Sequence, residues 1–112
     1  MKRTLAKIGN SAHRAIIRID HDGPALSGAG NIDYACPHCG RTLAEHVEDE
    51  RVYDIVLECH GCKLASEFPR LPPGSTIPGP YMYFPEGVYR VTATLPVGRG
   101  VLAVGFGAIK GQ

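Results

Sequence analysis

A chain of 112 residues is long enough for one ordinary domain and too short for two cores of normal size. Its apolar fraction of 44% fits a folded protein, while 14 glycines, nine prolines and no tryptophan predict many turns, little long helix and a thin core. No apolar run approaches the roughly 20 residues of a membrane-spanning helix, and the basic N-terminus lacks the apolar stretch of a secretory signal. We therefore expect a cytoplasmic protein, in a compartment where structural disulfides are rare.

The net charge of +1 hides an uneven distribution of charge along the chain. Five cations and one acid in residues 1–20 give +4, three cations and nine acids in residues 21–68 give −6, and residues 69–112 carry +3. An acidic middle segment repels phosphate groups, so any contact with nucleic acid must come from the two ends of the chain.

Three segments precede the first cysteine. Residues 1–12 predict a basic, flexible tail, and residues 13–20 (HRAIIRID) predict a strand because they are rich in β-branched side chains. Residues 21–31 predict a loop from their Gly and Pro content. No convincing helix start follows the Gly-x-Gly of this loop, so a phosphate-binding role is not indicated.

The segments between and after the cysteine pairs favour strands. Residues 51–59 (RVYDIVLEC) alternate apolar and polar side chains, and residues 63–68 (KLASEF) predict a further strand. Residues 42–50 fit two interpretations, because Thr42 and Glu45 match a helix capping box while a β-hairpin arm would bring the two cysteine pairs together. We favour the hairpin arm.

Proline divides the C-terminal part of the chain. Six of the nine prolines fall in residues 69–87, and residues 69–80 predict a Pro-rich surface loop because proline lacks the N–H group that helices and sheets need. Residues 81–109 predict a C-terminal hairpin whose second arm is apolar on both faces and needs cover on both sides. Since neither part has a sufficient core alone, we expect residues 13–112 to form one β domain.

All four cysteines lie in two Cys-x2-Cys pairs, CPHC and CHGC, with nineteen residues between the pairs. Two intervening residues let a tight turn direct both sulfurs at one ion, and two such turns supply four thiolates at tetrahedral positions. Soft thiolates without carboxylates favour Zn²⁺ or Fe over Mg²⁺ or Ca²⁺. The predicted metal ligands are Cys36, Cys39, Cys59 and Cys62.

Two alternatives to zinc are an iron site like that of rubredoxin and a redox-active pair. Oxidising thiol–disulfide enzymes of the thioredoxin superfamily also place Pro-His between their two active cysteines. Such a pair sits at a helix N-terminus on a βαβ scaffold, which no segment before Cys36 predicts, and the second pair would then have no role. Zinc is therefore the preferred interpretation.

The layout of residues 31–68 resembles the zinc-ribbon fold group, with a short strand (IDYA), a knuckle (CPHCGR), a β-hairpin, a second knuckle (CHGCK) and a strand (LASEF). Gly40 after the first pair is typical of such knuckles, whereas Lys63 stands at the equivalent position of the second. The resemblance implies an all-β fold, a zinc ribbon elaborated with additional antiparallel strands. β-Tent architectures also use two Cys-x2-Cys pairs, but with a much longer gap, and cereblon-type ligand cages imply tryptophans that this chain lacks.

Four thiolates leave no open position for water, so we expect one structural Zn²⁺ per chain that contributes to folding. The histidines show no ligand spacing, the acidic run at residues 45–50 predicts a solvated hairpin tip, and the serines lack a nucleophile motif. We therefore predict that the protein is not an enzyme.

Two functions remain as expectations. The first is a protein-interaction or assembly module, acting through the apolar C-terminal strand, including pairing between copies, or through an aromatic patch of Tyr81, Tyr83, Phe84 and Tyr89. The alternative, which the zinc-ribbon resemblance implies, is a nucleic-acid-binding accessory protein. Its contacts would come from Lys2, Arg3, Lys7, Arg14 and Arg18, with further contributions from Arg90 and Arg99.

Overall fold

A computed structural model describes residues 1–8, 14–71 and 80–105, which form thirteen β-strands and no helix. The fold is therefore all-β, as predicted. The expectation that the additional strands are antiparallel is wrong for most of the described pairs. None of the described segments forms an apolar helix long enough to cross a membrane. The strands are β1 (Lys2–Thr4), β2 (Ala6–Lys7), β3 (Ala15–Ile19), β4 (Leu26–Ser27), β5 (Ile32–Ala35), β6 (Thr42–Val47), β7 (Val52–Tyr53), β8 (Ile55–Glu58), β9 (Ala65–Glu67), β10 (Tyr81–Phe84), β11 (Gly87–Val91), β12 (Leu95–Pro96) and β13 (Leu102–Gly105).

The strands form three sheets. Sheet A has the order β1-β5-β6-β4-β12, sheet B the order β11-β3-β8-β9-β2, and sheet C the order β10-β13-β7. Seven of the ten described strand pairs are parallel, although no described helix makes a crossover. Parallel neighbours need a long connection. Here strands of the other sheets supply it: between the parallel partners β3 and β8, for example, the chain passes through sheets A and C.

Each cysteine pair lies at the turn of its own antiparallel hairpin, β5–β6 in sheet A and β8–β9 in sheet B. Residues 42–47 are a strand, as the favoured interpretation required. The prediction of a hairpin between the two cysteine pairs is wrong, because β6 and β8 belong to different sheets. The chain leaves sheet A after β6 and contributes β7 to sheet C before β8 enters sheet B.

Residues 2–7 form a strap that joins sheets A and B. Strand β1 pairs in parallel with β5, and β2 pairs in antiparallel orientation with β9. Leu5, between the two strands, is buried, and its N–H group donates to the Ala35 carbonyl at 3.0 Å. The prediction of a flexible tail is therefore wrong for residues 1–8, because an apolar anchor and two sheet edges hold them; residues 9–12 lie outside the described residues.

The C-terminal hairpin expected at residues 81–109 does not form among the described residues. Strand β10 pairs in parallel with β13, whereas β11 and β12 pair with β3 and β4 of the other sheets. Strand β13 is buried along its whole length and is paired on both edges, so the cover expected for this apolar arm is present over residues 102–105. Residues 106–109 and residues 72–79 of the Pro-rich loop lie outside the described residues.

The main core lies between sheets A and B. Tyr34 of β5 and Phe68, just after β9, meet edge to face with ring centroids 4.9 Å apart and so link the two sheets directly. Strands β3 and β11 continue sheet B beyond the second cysteine hairpin. The largest fully buried side chains include Phe68, Ile17, Ile19, Leu26, Leu43, Ile55 and Leu57.

The Gly-x-Gly of residues 28–30 serves backbone packing. The N–H groups of Gly28 and Gly30 donate to the carbonyls of Glu45 (3.1 Å) and His46 (2.8 Å). A Cβ at Gly28 would lie 2.6 Å from the His46 carbonyl oxygen, so no larger residue fits without movement. Close approach of this loop to β6 explains the glycines without a phosphate ligand.

Asp54 is a buried carboxyl at the bend between β7 and β8. It is 1% exposed and has a left-handed backbone with φ of 60°. Its N–H group donates to the Pro69 carbonyl, and its Oδ2 accepts from the Leu71 N–H group, both at 3.0 Å. Burial raises the pKa of this carboxyl.

We expect Asp54→Asn to raise the free energy of unfolding at pH 7. Because the folded-state pKa is raised, the stability that the protonated carboxyl contributes is complete below its unfolded-state pKa of about 3.9 and is lost as pH rises through the folded-state pKa. Asparagine stays neutral, keeps an acceptor for Leu71 and tolerates the left-handed conformation. Urea unfolding at pH 7 and at pH 3 should show the gain at pH 7 alone.

Glu50→Gln is the control for this experiment, because Glu50 is an exposed carboxylate with a left-handed backbone (φ 55°). It should change stability by less than about 0.5 kcal/mol. An equal effect of both substitutions, or a gain for Asp54→Asn at pH 3, would contradict the assignment of the cost to a buried charge.

Candidate metal centre

The first knuckle, residues 36–41, is closed by two backbone hydrogen bonds. The Cys36 N–H group donates to the Arg41 carbonyl at 2.8 Å, and the Gly40 N–H group donates to the Cys36 carbonyl at 2.9 Å. The N–H group of His38 lies 3.4 Å from the Cys36 sulfur and donates to it. Backbone hydrogen bonds therefore close the turn that carries both cysteines.

The second knuckle, residues 59–64, repeats this pattern. The Cys59 N–H group donates to the Leu64 carbonyl at 3.1 Å, and the Lys63 N–H group donates to the Cys59 carbonyl at 3.0 Å. The residue after each second cysteine is left-handed, with φ of 82° at Gly40 and 63° at Lys63. Lys63 thus adopts the conformation for which the first knuckle uses glycine.

The four cysteine sulfurs converge on one point. All four lie within 4.8 Å of one another, and the Cys36–Cys62 and Cys39–Cys59 distances are both 3.6 Å. Four sulfurs about 2.3 Å from a tetrahedral ion are separated by about 3.8 Å. The observed spacing fits a single ion and is too long for a disulfide, so the predicted set of four cysteines could hold one metal ion.

The four sulfurs differ in burial and acidity. Cys36 and Cys59 are buried, Cys62 is half-buried and Cys39 is exposed. A hydrogen bond from the Arg41 backbone lowers the pKa of Cys39 to about 7, whereas burial raises the pKa of Cys59 and raises that of Cys62 to about 12. Metal binding would therefore displace protons from the Cys59 and Cys62 thiols, and lowering the pH would oppose it.

The histidines beside the sulfurs do not join the cluster. His38 is exposed, with its Nε2 3.3 Å from the Ala65 carbonyl oxygen, and His60 lies 3.6 Å from the Asp22 carboxylate. Within residues 1–8, 14–71 and 80–105, the group that could hold a metal contains the four cysteines alone. His21 accepts a hydrogen bond from the Gly23 N–H group, His46 is exposed on β6, and His13 lies outside the described residues.

The basic residues predicted to contact nucleic acid are spread over the fold, and four of them form ion pairs. One is Arg90, which lies 2.7 Å from the Asp20 carboxylate, and the other three come from the N-terminal part of the chain. These three pairs are Arg3–Asp49 (2.8 Å), Arg14–Glu67 (2.6 Å) and Arg18–Glu58 (3.1 Å). Arg14 is 5% exposed, so it is a core residue. Lys2 and Lys7 are exposed on the strap.

The aromatic group divides into two parts. Phe84 and Tyr89 meet edge to face at 5.8 Å and pack against the main core. Tyr81 and Tyr83, on the other face of β10, are 49% and 37% exposed. The acidic run is likewise divided: Asp49 and Glu50 are exposed, while Glu48 accepts a hydrogen bond from the Gly100 N–H group.

A hollow beside the strap was not predicted. Two adjoining cavities of about 340 and 440 Å³ share Arg3, Tyr34 and Pro69 in their walls. The remaining wall residues come from positions as far apart as 5 and 70, so no local pattern in the sequence could indicate this hollow. It forms where the strap and the segment after β9 diverge.

Removing glycine from the first knuckle and introducing it into the second should have opposite effects on stability. Gly40→Ala should destabilise the metal-loaded protein by about 1 kcal/mol, because alanine resists the left-handed conformation although its Cβ would meet no atom within 4 Å. Lys63→Gly should instead stabilise it, by up to about 1 kcal/mol, by relieving the same conformation. Denaturant unfolding of each variant measures both effects.

Lys63→Ala removes the charge without removing the Cβ, and it should give no gain. A gain for Lys63→Ala equal to that for Lys63→Gly would assign the effect to charge and contradict the conformational explanation.

Comparisons with known proteins give no relative from which the role of this centre could be inferred. No protein-family model, curated protein or solved structure matches this chain. The assignment of a metal-binding site rests on the ligand chemistry and the convergence of the four cysteines.

Proposed function

We propose that this chain is a protein-interaction module whose β fold is stabilised by one structural Zn²⁺ ion. The observation that carries the proposal is the convergence of four cysteine sulfurs within 4.8 Å, where the hairpin turns of two sheets meet. Four thiolates saturate a tetrahedral zinc ion and leave no position for a water or a substrate. A centre of this kind supports structure, and binding then depends on the surface that the fold presents.

Zinc suits the site better than the alternatives. The ligand set is entirely thiolate, which excludes hard cations such as Mg²⁺ and Ca²⁺. A rubredoxin-like iron centre would use the same four sulfurs and is distinguished by its colour and redox activity. A thiol–disulfide enzyme would need a helix N-terminus at the first cysteine, whereas Cys36 follows a strand and precedes a turn.

Native protein purified without added metal should contain one zinc per chain, measured by elemental analysis. Cys59→Ser should lower zinc content and affinity strongly, because it removes a buried ligand. His38→Ala, in the other knuckle, changes an exposed residue outside the cluster and should keep zinc at the wild-type level. Cobalt substitution should give the visible spectrum of a tetrahedral thiolate site.

Iron in the purified protein, or a metal-free chain with two disulfides, would contradict the zinc assignment. Equal zinc loss in Cys59→Ser and His38→Ala would show that the knuckle fold, and not its ligand set, was disturbed.

The surface that supports an interaction role lies on β10. Tyr81 and Tyr83 expose two large aromatic side chains on one face of a strand that Met82 and Phe84 anchor to the protein. Tyrosine supplies large contact area at low entropic cost, which makes it a frequent anchor of protein interfaces. The apolar strand β13, the surface favoured from the sequence, is buried and paired on both edges over residues 102–105, so the proposal moves to its neighbour.

The nucleic-acid alternative receives less support. Arg3, Arg14 and Arg18 each contact a carboxylate, which lowers the positive charge available to phosphates. Binding to nucleic acid would rest on counterion release and would weaken steeply with salt.

The double variant Tyr81→Ser/Tyr83→Ser should lose a protein partner that the wild-type chain captures from its source cell, with an affinity loss of about tenfold or more. Its free energy of unfolding should stay within about 0.5 kcal/mol of the wild-type value, because both rings are exposed. Val88→Ser, at a 54% exposed apolar position on β11, is the matched control and should keep the partner.

Nuclease treatment should leave the captured partner in place. Loss of the partner on nuclease treatment would favour the nucleic-acid alternative, and retention by the double variant would exclude β10 as the surface.

A further inference from the structure

Two sulfur contacts of 3.6 Å join one knuckle to the other. Cys39 lies 3.6 Å from Cys59, and Cys36 lies 3.6 Å from Cys62. These two contacts divide the four sulfurs into two pairs with none left over. A disulfide bond is roughly 2.0 Å long, so each pair must close by about 1.6 Å to form one.

Access to solvent also separates the sulfurs. Cys39 is the exposed member of the cluster, and its sulfur lies 3.6 Å from that of Cys59, which is fully buried. Cys62 is half-buried and Cys36 is 2% exposed, so the second pair repeats the arrangement of a more accessible sulfur against a buried one. A dissolved oxidant reaches an exposed cysteine sulfur before a buried one.

We propose that Cys39 is a site of oxidative modification by hydroperoxides and that oxidation links the two knuckles through disulfides Cys39–Cys59 and Cys36–Cys62. The inference builds on the metal centre proposed above. The Cys-x2-Cys pairs would then not act as thioredoxin-like redox pairs, because each new bond runs between them. The oxidised protein keeps its two hairpins joined, with covalent bonds in place of the metal.

The chemistry balances with hydrogen peroxide as the oxidant. The Cys39 thiolate attacks one peroxide oxygen, the O–O bond breaks and hydroxide leaves, which gives a sulfenic acid. The Cys59 thiolate attacks the Cys39 sulfur, the S–O bond breaks and a second hydroxide leaves as the disulfide forms. Two sulfurs lose one electron each and one peroxide is reduced. A second peroxide oxidises Cys62 and Cys36 in the same way, and the four sulfurs no longer offer thiolates to a metal.

Tryptic peptides of the full chain report the connectivity. Trypsin leaves Cys36 and Cys39 together in residues 19–41, and Cys59 and Cys62 together in residues 52–63. Metal-loaded and metal-free chains are treated with two equivalents of hydrogen peroxide, blocked with an alkylating reagent and digested. We expect one linked species containing both peptides, with fragmentation placing the bonds at 39–59 and 36–62, and reversal by a thiol reductant. Two separate peptides with internal disulfides, or sulfonic acid at Cys39 without a disulfide, would overturn the proposal.

Two variants test which sulfur reacts first, each keeping one cross-knuckle pair. Cys62→Ser retains Cys39–Cys59 and should form its link at the wild-type rate, whereas Cys39→Ser retains Cys36–Cys62 and should form its link roughly tenfold more slowly. Equal rates would overturn the role of Cys39.

A chromogenic zinc chelator in the same samples separates this proposal from the zinc assignment. Cross-knuckle disulfides without metal release contradict the zinc centre alone. Metal release with disulfides inside each pair contradicts the redox proposal alone.

Discussion

Two hairpins from different sheets must bring four sulfurs to one point, and the rest of the fold depends on this convergence. Each Cys-x2-Cys turn is fixed by its own backbone hydrogen bonds, but the sheet that carries it cannot position the other turn. The strap at residues 2–7 positions the two turns relative to each other from one side, because it pairs with β5 of sheet A and with β9 of sheet B. The Tyr34–Phe68 contact holds the same two sheets together from within the core. A metal at the cysteines would add a third connection between the same two sheets.

The need for such a connection follows from the size of the core. Many of the strands are two to four residues long, and a small chain buries a modest share of its surface. Metal-binding free energy of the order of 10 kcal/mol exceeds the net stability of many small domains. A metal bound at the four cysteines would therefore have the position and the strength to decide whether sheets A and B stay together.

The sequence predicts what depends on local spacing. The four predicted ligands follow from two short motifs, and the strands over residues 15–19 and 55–58 follow from β-branched content and alternation. Strand partners depend on contacts between distant residues, which neither property encodes. The predictions of a hairpin between the cysteine pairs and of a C-terminal hairpin failed for this reason.

The strap shows the same limit in another form. Residues 1–8 carry three cations and no acid, so their charge predicts a tail. One buried leucine, together with backbone hydrogen bonds to two sheet edges, is enough to order them. Backbone pairing needs no particular side chains, and so it leaves little trace in the sequence.

Amide hydrogen exchange on the full chain, before and after chelation of the metal, tests most directly whether the centre joins the two sheets. The readout is the protection of β4 and β6 in sheet A and of β3 and β8 in sheet B, compared with the knuckles at residues 36–41 and 59–64. If the metal holds the sheets together, chelation accelerates exchange in both sheets to the same extent. Faster exchange confined to the knuckles, with both sheets still protected, would show that the fold stands without the metal and would contradict this account.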